Sequence, residues 1–235
     1  MKTRRQEIRN IMKLTYLGHA GFKVESDDKI IYLDPWLGGP ASPMDVNDVD
    51  DADIVLVTHD HQDHGYAEAR KICEETGAYF VAINELAIDA KKKGLEKVHT
   101  LNIGGSIDID GVRVTLVQAF HSCGKGAPTG FVVKMPSFSF YHAGDTGVFS
   151  SMKLFRELYS PDLAMLPIGS YYTMDEKQAA LATELVRPKI AVPMHYDTFP
   201  PIKADPDKFK KLVKDRTPDT DVEVIEPGES KEFVF

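Results

Sequence analysis

The sequence predicts an α/β chain folded as a four-layered sandwich, with two mixed β-sheets packed face to face and helices outside. Strand-rich stretches alternate with strand-and-helix pairs twice over, and no linker rich in Pro or Ser divides the halves. Several buried-strand runs stop at a histidine or an aspartate, the strand end at which α/β folds carry their chemistry. With 235 residues, 43% of them hydrophobic, the chain can bury one substantial core. A single domain over residues 12–235 is therefore expected. Residues 1–11 read as a polar N-terminal extension or a start-site overcall, since Met12 is a plausible alternative start.

The elements follow from local pattern. "KLTYLG", "AGFKVES" and "KIIYLDPW" alternate apolar and polar residues as three linked strands, with the first pattern starting at Leu14 and Asp27 and Asp28 at a hairpin corner. "DADIVLVTHD" holds a buried run, Ile54 to Val57, that ends at Thr58. "GYAEARKICEETG" has helical spacing, with Ala67, Ile72 and Cys73 on one side and Gly77 as a stop. "AYFVAI" is a strand and "NELAIDAKKKG" a helix with Asn84 as N-cap. "KVHTL", "SIDID" and "VRVTLVQAF" are strands, the last two joined at Asp110-Gly111. "GFVVKM" and "FSFYHAGDTG" form a hairpin through Pro136 and Ser137, followed by the helix "FSSMKLFRELY". Strand "PDLAMLPIG", a helix capped by Thr173 with Glu176 three residues on, and strand "KIAVPMHYDTF" come next. A helix near residues 206–214 and the strands "DVEVIE" and "KEFVF" complete the chain.

Composition excludes some classes of function. A formal charge of −8 and a pI near 5.5 disfavour nucleic acid and anionic membrane as partners, because both need a basic face to displace counterions. The N-terminus is basic but has no apolar stretch behind it, so it is not a secretory signal, and no apolar run approaches the ~20 residues of a membrane-spanning helix. Cys73 and Cys123 lie far apart without CxxC spacing, as free thiols in a reducing compartment would. A cytoplasmic protein with a small-molecule substrate is expected.

The loop "THDHQDHGY" crowds three of the eight histidines into six positions. His59 and His61, two apart on an extended segment, face the same side, while Asp63 and His64 lie on the turn into the following helix. Asp60, between the first two, turns away. Two imidazoles can grip one divalent ion, and a carboxylate with a third imidazole can serve a second, a donor set that suits Zn first and also Mn, Fe or Ni. His121, Asp145 and His195 each follow a buried-strand run and add ligands at the same rim.

Taken in order, Asp34 in "LDPW", the H-x-H-x-D-H loop, a lone His121, Asp145 in a Gly-Asp-Thr and a final His195 resemble the metallo-β-lactamase superfamily. "LGHAGF", "HAGDTGVF", "LPIGSYYTM" and "PMHYDTF" are similar to metal-dependent hydrolases related to L-ascorbate-6-phosphate lactonase. They are more distantly similar to the phospholipase D that acts on N-acyl-phosphatidylethanolamine. The resemblance implies one ion held by His59, His61 and His121, a second held by Asp63, His64 and His195, and Asp145 as a bridge between them. It also implies that Asp34 orients a loop ligand without touching metal, and that the chain forms a homo-oligomer.

The expected reaction is hydrolysis of a small-molecule ester, lactone or phosphodiester. A water held between two ions has its pKa lowered from 15.7 toward ~7 and supplies the hydroxide. Asp145 and Asp63 would position it, and His19 or His142 would protonate the leaving group. Tyr171, Tyr172 and Lys125, the last in the Gly-rich stretch "HSCGKGAPTG", are candidates to contact substrate, and Cys123 could approach the metals. A nuclease of the same superfamily is disfavoured by the acidic charge and short loops. A diiron redox protein would carry Glu where His61 stands, and a non-enzymic metal-binding protein is the remaining alternative.

Overall fold

Alternating burial builds the first sheet. In β1 (Ile11–Gly18) Met12, Leu14 and Tyr16 point inward, and in β2 (Gly21–Ser26) Phe22 and Val24 do so. β3 (Lys29–Leu33), β4 (Ile54–Leu56), β5 (Tyr79–Ile83) and β6 (Val98–Leu101) follow in parallel, and β14 (Ser230–Val234) pairs antiparallel with β1 at the other edge. Every residue of β4 is buried, as expected of a parallel strand covered on both faces. The computed structural model describes residues 11–26 and 28–235. Asp27 and nearly all of the expected polar extension lie outside the described residues. Ile11 is the exception: it opens β1 opposite Val234, three residues before the expected strand start at Leu14.

The second sheet comprises β7 (Ser106–Ile109), β8 (Val112–Gln118), β9 (Thr129–Lys134), β10 (Ser139–His142), β11 (Leu163–Pro167), β12 (Ile190–Met194) and β13 (Asp221–Val222), in that spatial order. Asp110 and Gly111 turn the β7–β8 hairpin with φ of 49° and 89°, the twist that a two-residue hairpin loop requires. Each sheet makes three antiparallel pairings and then three parallel ones. The two halves of the chain are thus built alike, a likeness invisible in their residues.

Helices α1 (Tyr66–Thr76) and α2 (Asn84–Lys92) cover the first sheet, while α3 (Lys153–Tyr159), α4 (Glu176–Val186) and α5 (Pro206–Arg216) lie with the second. The two mixed sheets with helices outside are the predicted architecture, and their facing residues, among them Phe22, Phe131 and Phe140, form one core. Three local expectations need correction. α1 buries Ala69 with Ile72 and Cys73, and Ala67 faces solvent. α4 is capped by Asp175, whose side chain accepts from the Gln178 N–H, instead of by Thr173. Asn84 is the first helical residue of α2, and the cap position is Ile83.

Gly65 joins the histidine loop to α1 with φ of 65°, and a Cβ there would sit 2.3 Å from the carbonyl carbon of Pro35. Gly65→Ala is expected to cost about 2–4 kcal/mol of unfolding free energy, combining left-handed strain with overpacking. Urea denaturation measures it, and a variant as stable as the parent would show that Pro35 yields freely.

Candidate metal centre

A buried carboxylate starts the site. Asp34 follows β3 in a left-handed conformation, φ 41°, and is fully buried. Its Oδ1 accepts the Thr58 N–H at 2.8 Å, and its Oδ2 accepts the Thr58 hydroxyl at 2.7 Å. The Nδ1 of His64 lies 2.7 Å from the same Oδ2. With Nδ1 donating to Asp34, the Nε2 of His64 points the other way, 3.3 Å from Asp145 Oδ1. Thr58 Oγ1 also lies 3.0 Å from His59 Nδ1, which turns His59 Nε2 to within 2.9 Å of His61 Nδ1. One carboxylate and one hydroxyl therefore set two ring orientations from behind.

Two groups of potential ligand atoms result, each with all its members within 4.8 Å of one another. His59, His61, His121 and Asp145 make one, and His19, Asp63, His64 and His195 the other. Asp145 lies between them: its Oδ2 is 3.4 Å from His121 Nε2 and 3.2 Å from His195 Nε2. All seven expected ligands are thus brought together. His19 joins them, with Nε2 3.1 Å from Asp63 Oδ2, Nδ1 3.0 Å from Thr198 Oγ1, and its ring 4.0 Å from that of His195.

Several of these buried atoms have no hydrogen-bond partner: His64 Nε2, Asp145 Oδ1 and both ring nitrogens of His195. Orphaned polar atoms are costly in a folded interior, and here His64 Nε2 and His195 Nε2 gather around the Asp145 carboxylate. Imidazole nitrogens with carboxylate oxygens are the donors that divalent zinc or manganese accepts, so the residues fit such ions. Among the protein groups alone, burial and the nearby His64 push His59 down to about 2. Burial opposes charge on His64, but Asp145 and Asp34 outweigh it and hold that ring well above the ordinary histidine range. Burial likewise opposes the Asp145 carboxylate, and His195 and His64 outweigh it and hold the carboxyl far below its usual range.

The centre floors a cleft of about 570 Å³. His61, Asp63, His121, Asp145 and His195 face it from below, and Ser122, Tyr172, Phe199, Pro200 and Pro201 wall it. Tyr172 is placed where a substrate contact was expected, whereas Tyr171 stands outside the lining, 74% exposed and edge-on to Tyr172 at 4.7 Å.

Other expectations are corrected. Lys125 faces Asp60, with Nζ 3.9 Å from Oδ2, and not the cleft. Cys123 turns its thiol toward the carbonyls of Gly126 and Lys125. His142 cannot protonate a leaving group, because it is fully buried with Nε2 donating to the Ala20 carbonyl at 2.8 Å and Nδ1 accepting the Gly144 N–H. His19 is 1% exposed, with Nδ1 beside Thr198 and Nε2 beside Asp63, which places it among the ligand side chains. Asp60 turns away from the ligands, as its position suggested, and accepts the Gly124 N–H at 2.7 Å. Sequence reasoning missed Thr58 and Thr198, which brace ligands, and the wall Phe199–Pro200–Pro201. A hydroxyl next to a ligating histidine is the signal that could have found Thr58.

Asp34→Ala is expected to weaken metal binding roughly 10–100-fold by releasing His64 and Thr58. Competition with a chromogenic chelator measures this, and unchanged affinity would remove Asp34 from the arrangement. The geometry has counterparts in known proteins. A family model described as the Beta-lactamase superfamily domain matches residues 13–195. A UPF0173 metal-dependent hydrolase of Methanopyrus kandleri is 47% identical over 230 residues, spanning 94% of this chain and 100% of that protein. Igni18, a metallo hydrolase from the hyperthermophilic archaeon Ignicoccus hospitalis, has a solved structure with a TM-score of 0.90 and 44% identity over 96% of this chain and 99% of its own. The metallo-β-lactamase fold protein YhfI of Bacillus subtilis, at TM-score 0.72 and 15% identity over 95% of this chain and 100% of its own, shares the fold. The chain belongs to the β-lactamase superfamily and, within it, to the UPF0173 metal-dependent hydrolases.

Proposed function

We propose that the chain hydrolyses a small-molecule ester, lactone or phosphodiester in the cytoplasm, as a homo-oligomer, using two divalent ions of which zinc is favoured over Mn, Fe or Ni. The observation that carries this reading is the position of Asp145, which completes one four-residue ligand group and lies 3.3 and 3.2 Å from His64 and His195 of the other, on the floor of one cleft. His59, His61 and His121 would hold one ion, and Asp63, His64 and His195, with His19 beside them, the other. When bound, such ions polarise a substrate oxygen and make water nucleophilic at neutral pH.

The chain's own groups divide the remaining work. Asp145 keeps the two ligand groups in register. Asp63 is the more open of the two floor carboxylates, with its side chain 26% exposed. Its Oδ2 is oriented by His19 and would also serve the ion, which leaves Oδ1 to accept a proton from the attacking water. Burial opposes ionisation of Asp63, but the His19 hydrogen bond and His64 outweigh it and hold its carboxyl well below the usual range, in the basic form. Thr198 pins His19 and so keeps Asp63 aimed at the cleft. A nuclease would need cationic side chains at the mouth, and none of the described lining residues is Lys or Arg.

Purified protein analysed for metal should carry about two ions per chain, and turnover of lactones, carboxylic esters, thioesters or phosphodiesters should fall at least ~100-fold on chelation. Activity that survives complete metal removal would overturn the mechanism. Asp63→Asn is expected to lower kcat about 10²–10⁴-fold while KM changes little, a split read by steady-state kinetics at matched metal content. An unchanged kcat would move the proton acceptor elsewhere.

A further inference from the structure

We propose that the cleft selects substrates whose non-reacting arm is apolar and uncharged, and rejects those that carry an anionic group on that arm. This substrate class rests on the hydrolase reading above. Floor and wall differ in kind: the floor holds the ligand histidines and carboxylates, while the wall is Phe199, Pro200, Pro201 and Tyr172, with Ser122 as its one aliphatic hydroxyl. No Lys or Arg is among the described residues that line it. Two lysines close in sequence to the wall are turned to other partners, Lys125 to Asp60 at 3.9 Å and Lys203 to Asp197 at 4.0 Å.

An anion on the arm would have to leave water for a surface with no cation and no guanidinium fork to receive it. The chain's net charge of −8 opposes its approach as well. Ions held at the floor would serve the bond to be cut, with Asp63 and Asp145 beside them to offset their charge. An apolar arm instead covers aromatic and proline surface and gains from leaving water. The wall is braced in advance, since the Phe199 ring lies 5.8 Å from Trp36 and 5.4 Å from His19. A preformed wall loses little freedom when the arm seats. Two further exposed aromatics flank the site in sequence: Phe120, 62% exposed, precedes the ligand His121, and Tyr171, 74% exposed, precedes the wall residue Tyr172.

The test compares two esters with the same phenol leaving group, phenyl butyrate and monophenyl succinate, on the metal-loaded protein. The kcat/KM ratio should favour the neutral ester at least about tenfold. Phe199→Ala should raise KM for the butyrate with a smaller change in kcat, and Tyr172→Lys should shrink the neutral-to-anionic ratio at least about fivefold by offering a cation. Trp36 is the single tryptophan and adjoins Phe199, so binding can be read without turnover. Butyranilide should quench its fluorescence saturably, and succinanilic acid at the same concentrations should not.

Equal or tighter binding of succinanilic acid, or a turnover ratio at or below one, overturns the proposed selectivity and leaves the hydrolase reading standing. Saturable quenching by butyranilide alone, without cleavage of either ester, upholds the apolar wall and overturns ester hydrolysis. Neither quenching nor cleavage overturns both.

Discussion

A fully buried carboxylate has to be satisfied, and the way this chain satisfies Asp34 fixes most of what surrounds it. Its partners are the backbone N–H and hydroxyl of Thr58 and the ring of His64, so the end of β3 is locked to the end of β4 and to the turn beyond. Because His59 and His64 are each held from behind through Nδ1, their opposite ring nitrogens are free to face the rest of the site. Breaking such a network by removing one member strands the others without partners, which is costly when water cannot reach them.

The second sheet answers with its own contacts to the same region. His142 in β10 bonds the Ala20 carbonyl, and the His195 N–H after β12 bonds the His19 carbonyl at 2.6 Å. Tyr16 adds its hydroxyl to that carbonyl at 2.8 Å, and burial pushes its phenol far above the ordinary range, which keeps it a donor. The short turn at His19 is thus a strut between sheets as well as a member of the ligand group. His142, read from sequence as a candidate acid, has a mechanical role in the same strut.

What was legible in the sequence was whatever depends on near neighbours. Strand alternation, the Asp110-Gly111 hairpin, the Gly77 stop and the contiguous H-x-H-x-D-H loop are each decided within about ten residues of chain. Helix caps were less legible: "TMDE" holds two competent cap residues, Thr173 and Asp175, and the cap is Asp175. The roles of His19 and His142 depend on partners 44 and 122 residues away, which no local pattern encodes. The stretch after His195, "DTFPP", reads as an ordinary loop, and only its approach to Trp36 makes it a wall.

The likeness of the two halves also bears on when the centre can come into being. The first sheet's half brings His19, His59, His61, Asp63 and His64, and the second brings His121, Asp145 and His195. Neither half holds either ligand group complete, and Asp145, which adjoins both groups, comes from the second. During synthesis the first ligand group is complete only once Asp145 has been made, and the second only once His195, just after β12, has been made and docked. An ion bound there would act as a rivet across the seam, since whatever binds only the assembled state stabilises assembly. Ligands drawn from both halves thus tie metal affinity to the docking of one sheet on the other.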